Sequence, residues 1–237
     1  MTELKQKLLD LKNTISNKSN IDDSVCPYCD GEGMVWDDYR LGLYHPCKCN
    51  NEKAINFRLL KSNIPPRFID LNLDLYSPDD PIVNLIKSYS TQYDIKNKKN
   101  GLVLLGNTGS GKTTATVIIA KLILRRLINI NLKYISFNDY FDYLRNIENK
   151  DRYELINTCK NADILIIDDY GTQKDSEWVN EQIYSLINHR YNYMKSTFLT
   201  SNLNKKELSC NSRIYSRLVE VSEIFNVVGP DHREIKK

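Results

Sequence analysis

No stretch restricts this chain more than Gly106-Asn-Thr-Gly-Ser-Gly-Lys-Thr113, which has the spacing G-x-x-x-x-G-K-[ST]. An apolar run, Leu102-Val-Leu-Leu105, precedes it and reads as a buried strand, and a helical pattern follows from Thr113 to about Ile128. Strand, glycine-rich loop and helix in that order form a cradle for phosphate. The glycines let backbone N–H groups curl round an anion, and the helix N-terminus adds positive potential. On this spacing Lys112 reaches the β- and γ-phosphates of a nucleotide, and the Thr113 hydroxyl is a ligand for Mg²⁺. The cradle comprises Gly106, Asn107, Thr108, Gly109, Ser110, Gly111, Lys112, Thr113 and Thr114.

A second element complements the first. Ala162-Asp-Ile-Leu-Ile-Ile-Asp168-Asp169 is an aliphatic run ending in paired acids. It suits a strand buried on both faces, with the acids at the C-terminal edge, where open α/β sheets bind ligands. Asp168 is placed to hold Mg²⁺ through its waters and Asp169 to orient an attacking water as general base. The competing reading is a pair of acids capping a turn. Their place downstream of the phosphate loop, after two strand–helix units, favours the first. Ser196 to Asn202 reads as a short strand with a polar tip, where Asn202 either approaches the γ-phosphate or turns the chain. In Ser212-Arg213-Ile-Tyr-Ser-Arg217-Leu218 two arginines stand four apart on one helix face. A guanidinium there can stabilise charge on a transferring phosphoryl group, or simply be solvated. Strands are also expected at 132–137 and 224–228, and helices at 81–93, 139–147 and 152–159. That alternation argues for a parallel sheet with helices on both faces.

The N-terminal quarter has a different character. Leu4, Leu8, Leu11 and Ile15 form a helical stripe, which either packs on its own domain or fits a partner's groove. Cys26-Pro-Tyr-Cys29 and Cys47-Lys-Cys49 flank a stretch rich in hairpin-forming residues. Cys26, Cys29, Cys47 and Cys49 have the character of a structural tetrahedral Zn²⁺ site, which would staple a segment too short for a core of its own. His45 is close enough to replace one sulfur; reduced thiols or a redox pair are the alternatives. Cys159 and Cys210 read as packing residues. A helix is expected over 52–62, and Pro65-Pro66 then breaks it. The domains are accordingly placed at 1–62 and 63–237, within the 237 residues of the chain. A net charge of +3 is too weak alone to mark a nucleic-acid binder. No apolar run is long enough to span a bilayer, and the first 20 residues lack a signal-peptide core, so a cytoplasmic location is expected.

The motifs GNTGSGKT, ILIIDDYG, LTSNL and RIYSRL, in that order, resemble the AAA+ ATPases of the DnaC/DnaI helicase-loader group, which includes the IstB transposition helper. The likeness covers about residues 64–233 and takes in Ile64-Pro-Pro-Arg-Phe68, Asn188-His-Arg-Tyr191 and a closing Gly-x-Asp-x-Arg. The CPYC…CKC segment resembles the zinc-bearing N-terminal domain of loaders from low-GC Gram-positive bacteria and their phages. The resemblance implies an α/β P-loop NTPase of AAA+ type: a parallel sheet flanked by helices, without the helical lid domain and preceded by a small helical, zinc-binding module. It makes residues 106–113 Walker A, Asp168 and Asp169 Walker B, and Asn202 sensor 1. Arg217 becomes a trans-acting arginine finger, with Arg213 as the alternative, and Arg233 a nucleotide sensor. Asp169 departs from the Glu found in many AAA+ proteins, which implies slow hydrolysis. The implied function is ATP-dependent loading of a hexameric replicative helicase by a self-associating, Mg²⁺-dependent ATPase that also holds single-stranded DNA. Lys174, Trp178, Phe141 and Tyr143 are candidate DNA contacts, since basic and aromatic side chains serve that purpose, the competing reading of each aromatic being a core residue. Two other readings stay open: a transposition helper of the IstB kind, and a nucleotide-gated adaptor that barely hydrolyses ATP.

Overall fold

The computed structural model describes residues 29, 34–37, 43–47, 52–127, 129–171 and 176–229. The chain divides into two compact units between Cys49 and Asn50. The first holds an antiparallel hairpin of β1 (Met34–Asp37) and β2 (Leu43–Pro46), with Met34 opposite Pro46. Cys29 and Cys47 are both buried. Cys26, Cys49, Lys174, Arg233 and the helical stripe Leu4, Leu8, Leu11 and Ile15 lie outside the described residues. Among the described residues no group of three or more His, Cys, Asp or Glu side chains is arranged to hold a metal ion, so the expected zinc module is not detected there.

The second unit begins with α1 (Glu52–Lys61), two 3-10 turns (Pro66–Phe68 and Leu73–Leu75) and α2 (Pro81–Gln92). Next come β3 (Gly101–Leu105), α3 (Lys112–Arg126), β4 (Leu132–Ser136), α4 (Phe137–Asn146) and α5 (Asn149–Asn161). The remainder is β5 (Ile164–Tyr170), α6 (Glu177–Asn192), β6 (Ser196–Ser201), α7 (Lys205–Ser209), α8 (Ser212–Val221) and β7 (Ser222–Asn226). The strands form one sheet in the order β4-β5-β6-β3-β7, with every neighbouring pair parallel. Side-chain alternation splits its residues between two cores. Leu102, Leu104, Ile164, Ile166 and Phe198 face α1, α2 and α3. Val103, Leu105, Leu165, Ile167 and Leu199 face α4, α6 and α8. Burial on both faces explains why β3 and β5 read as unbroken apolar runs.

β4 is an edge strand, and the end of α1 covers it. The Tyr134 N–H donates to the Ser62 carbonyl at 2.7 Å, and Lys133 Nζ to the Lys61 carbonyl at 3.1 Å. α1 also buries Ile55 and Leu59 in the first core. Arg58 donates to the carbonyls of Leu124 at 2.7 Å and Leu127 at 2.9 Å, at the C-terminal end of α3. Glu52 forms ion pairs with Lys121 and Arg125 of α3. α1 ends ahead of the prolines, on Asn63 at φ 64°, with the N–H groups of Asn63 and Ile64 returning to the carbonyls of Leu60 and Leu59, and a break in the helix is not a break in packing. Residues 52–61 pack with the second unit, whereas the sequence placed them in the N-terminal domain.

Three other expectations meet a plain outcome. Phe141 is fully buried in the second core and offers no surface for a DNA base. Cys159 is buried, but Cys210 is exposed and is not a packing residue. No helix among the described residues is long and apolar enough to cross a membrane.

Candidate nucleotide site

The phosphate loop leaves β3 beside the C-terminal end of β7, where the Val227 N–H donates to the Leu105 carbonyl at 2.7 Å. Gly106 has φ 144°, and a Cβ there would collide with the Val227 carbonyl oxygen, so only glycine fits. Gly111 is the N-cap of α3 in the left-handed region, φ 86°, which swings the chain from loop to helix. Lys112 is buried, and its ammonium donates to the carbonyls of Gly106 at 2.8 Å and Asn107 at 2.6 Å. It also donates to Asn202 Oδ1 at 3.0 Å. The sheet order explains that last contact: β6 lies between β3 and β5 and carries its polar tip to the phosphate loop.

Asp168 is buried at the same end of β5 and accepts three hydroxyl protons. Thr113 Oγ1 donates to Oδ1 at 2.7 Å, Thr200 Oγ1 to Oδ1 at 2.6 Å, and Tyr134 Oη to Oδ2 at 2.7 Å. With its proton turned to Asp168, the Thr113 hydroxyl presents lone pairs outward, as a Mg²⁺ ligand must. An oxygen-only donor set of one hydroxyl and one carboxylate fits that cation, with water completing the shell. Tyr134 is held in its neutral form, its pKa raised by burial and then by the Asp168 charge.

Successive residues of a regular strand point to opposite faces, which would separate the two acids. The β5–β6 pairing instead slips between Ile167 and Tyr170, and Asp169 has φ 56°. Asp tolerates that left-handed conformation better than most residues. The bulge brings both carboxyl-bearing residues to one cleft and leaves Asp169 exposed. The Asp169 N–H donates to Thr200 Oγ1 at 3.0 Å, so one threonine fixes both acids.

The cleft has a volume of about 400 Å³ and is lined by Thr108, Gly109, Gly111, Lys112, Thr113, Thr114, Asp168, Asp169 and Asn202. These are sequence-expected residues brought together by the fold. Its other wall, Arg67, Phe68, Leu71, Leu75 and Tyr76, was not assigned to the site from the sequence. This mixed apolar wall suits a flat base, and Tyr76 Oη ties it to the loop by donating to the Gly111 carbonyl at 3.1 Å. Only the proline pair before Arg67 hinted at it. Thr200 and Tyr134 were also missed, because their roles depend on strand order.

Arg217 and Arg213 do not line this cleft. Arg217 Nε donates to Asn188 Oδ1 at 2.7 Å, and its Nη2 to Tyr184 Oη at 3.0 Å. Arg213 lies over the Tyr184 ring, 3.8 Å from its centroid. Both guanidiniums are therefore held against α6 on another part of the unit. Of the DNA candidates, Tyr143 is exposed, while Trp178 packs partly into the second core with Arg145 over its ring at 5.5 Å.

A family model described as IstB-like ATP binding protein matches residues 73–233. The chain is 29% identical over 206 residues to the phage-like element PBSX protein XkdC of Bacillus subtilis (strain 168), covering 79% of this chain and 75% of that protein. It is 26% identical over 145 residues to the replicative helicase loader DnaI of the same organism, covering 60% of this chain and 44% of the loader. It spans only 30% of the chromosomal replication initiator protein DnaA of Lacticaseibacillus casei (strain BL23). The crystal structure of the DnaC helicase loader superposes with a TM-score of 0.61 at 25% identity, covering 69% of this chain and 100% of that one. With more than half of its length matched by the family model, the chain belongs to the IstB-like ATP binding proteins.

Proposed function

We propose that this ATPase is an ATP-dependent loader of a hexameric replicative helicase, acting at the start of DNA replication. The observation that carries the reading is the likeness to the DnaC helicase loader, the whole of whose chain is covered at 25% identity. The ATPase activity itself follows from the P-loop fold and the family. Lys112 and the loop N–H groups bind the phosphates, while Arg67, Phe68 and Tyr76 border the base. Mg²⁺, held by Thr113 and through water by Asp168, would neutralise charge on the β- and γ-phosphates. Asp169 orients the attacking water, and Asn202 holds Lys112 in line. Arg217 acts on the site of a neighbouring copy, so that assembly depends on ATP and hydrolysis reverses it. Its position outside its own cleft, braced by Asn188 and Tyr184, supports that role.

In this reading the N-terminal unit grips the helicase, the ATPase unit holds single-stranded DNA, and the protein works in the cytoplasm. Structural zinc at Cys26, Cys29, Cys47 and Cys49 belongs to the same proposal. It is supported by the burial of Cys29 and Cys47 and by the hairpin register, which sets their flanking strands side by side. Metal analysis after reducing purification should find zinc bound; zinc-free, folded protein would refute this part. The resemblance to the IstB group leaves one second reading, a transposition helper acting with a transposase on duplex DNA, and the match to the IstB-like family is compatible with it. Co-purification of the full chain with the replicative helicase of its host, with ATP present, decides between them. Helicase capture is expected, and its absence would sink the loader reading.

A further inference from the structure

We infer that Tyr134 is a positioning residue for the Mg²⁺ site, acting through Asp168 by fixing the carboxylate oxygen that the two threonines leave alone. The inference rests on the reading of Thr113 and Asp168 as the residues that hold Mg²⁺. Both threonine hydroxyls converge on Oδ1 of Asp168. A carboxylate held through one oxygen can still swing about that anchor. Tyr134 donates to Oδ2 at 2.7 Å and sets the plane of the group. The plane matters because Asp168 meets the cation through water and must present its lone pairs at a fixed angle.

Tyr134 is itself rigid. Its ring is buried in the first core, and its own N–H is bonded to Ser62 at the end of α1. A positioning group works only when its own rotamer is locked in this way. The neighbouring strand supplies it in register: Ser136 stands opposite Asp168 on β4, and Tyr134 opposite Ile166, so the phenol reaches along the sheet to the carboxylate. A phenol is long enough to span that offset, where a serine or threonine at the same position is not.

Tyr134→Phe removes the hydroxyl and keeps the ring. Binding of a fluorescent, non-hydrolysable ATP analogue to the full chain is titrated with Mg²⁺ and, separately, in excess EDTA. The expected result is unchanged affinity in EDTA and a rise of about ten-fold in the Mg²⁺ concentration for half-maximal gain, as is usual when an outer partner of a metal ligand is lost. In an Asp168→Ala background the same change should add nothing, because the tyrosine acts only through that carboxylate. A Mg²⁺ titration identical to wild type would overturn the inference. So would an equal loss of affinity in EDTA, which would mean that the phenol only supports the fold. Should the wild-type chain itself gain no affinity from Mg²⁺, the underlying reading of the site falls as well, and the two failures are told apart by that control.

Discussion

Replacing Arg190 with methionine tests how the sheet carries the site. Arg190 is fully buried, and its guanidinium bonds the carbonyls of Cys159 at 2.7 Å, Ala162 at 2.8 Å and Ser196 at 2.5 Å. It also donates to the Lys160 carbonyl at 3.3 Å and to Thr197 Oγ1 at 3.0 Å. One side chain therefore joins the end of α5, the entrance to β5 and the first residues of β6. The opposite ends of those strands carry Asp168, Asp169 and Thr200. Burial works against the charge and pulls the pKa of this arginine down to about 9, which still leaves it protonated at neutral pH. Methionine fills much of the same volume and removes that desolvation cost. It removes the side-chain donor shared by these carbonyls, and each buried group left unmet costs about 1–3 kcal/mol. After the recovered desolvation, the net loss should be about 3–5 kcal/mol, the range found when one member of a buried charged network is removed. At about 2–4 °C per kcal/mol for a unit of this size, the melting temperature should fall by about 6–20 °C. Lysine should recover little, because a single ammonium cannot span helix end and strand as the planar fork does. The assay is thermal unfolding of the full chain followed by circular dichroism at neutral pH. A methionine variant melting within about 2 °C of wild type, a shift below 1 kcal/mol, would refute the reasoning.

Two more predictions concern the reaction. Asp169→Asn keeps a residue that tolerates φ 56° and so keeps the bulge; it should retain nucleotide affinity and lose at least about 100-fold in turnover, the usual contribution of a general base. Near-normal turnover would remove Asp169 from the chemistry. Arg217→Ala should likewise bind nucleotide normally and lose turnover by about 1000-fold, and mixing it with the Lys112→Ala variant should restore activity if the guanidinium serves a neighbour's site. A mixture no more active than either variant alone would count against action in trans.

The phosphate loop was legible because its chemistry is local: glycines, lysine and threonine sit within eight positions and need only a strand before them and a helix after. The aliphatic run before Asp168 was legible for a related reason, since burial on both faces removes polar alternation. What escaped the sequence depends on partners far along the chain. Thr200 and Tyr134 meet Asp168 only because β4, β5 and β6 are neighbours, and no spacing in the sequence encodes that order. The bulge at Asp169 escaped for another reason: a left-handed residue inside a strand has no signature beyond being Asp. The boundary at 62 was placed on the chemistry of Pro65 and Pro66, but the compact units divide between Cys49 and Asn50, because Arg58 and Glu52 reach across to α3, which the sequence could not reveal. The long helix Glu177–Asn192 was not read from the sequence, because its inward face mixes Val179, Ile183 and Leu186 with the buried cation of Arg190.

The grip of α1 on α3 gives the molecule a mechanical property. α3 is a 15-residue rod, about 22 Å long, with Lys112 at one end. Arg58 clasps the carbonyls at the other end, and Glu52 holds the flank through Lys121 and Arg125. The chain leaving the N-terminal unit enters α1 within three residues of Cys49. A push on α1 therefore reaches the rod at its far end and along its flank, and the sheet edge through Ser62, while the rod itself runs on to the loop around the phosphates. In engineering terms α1 is a clamp and α3 the bar it holds.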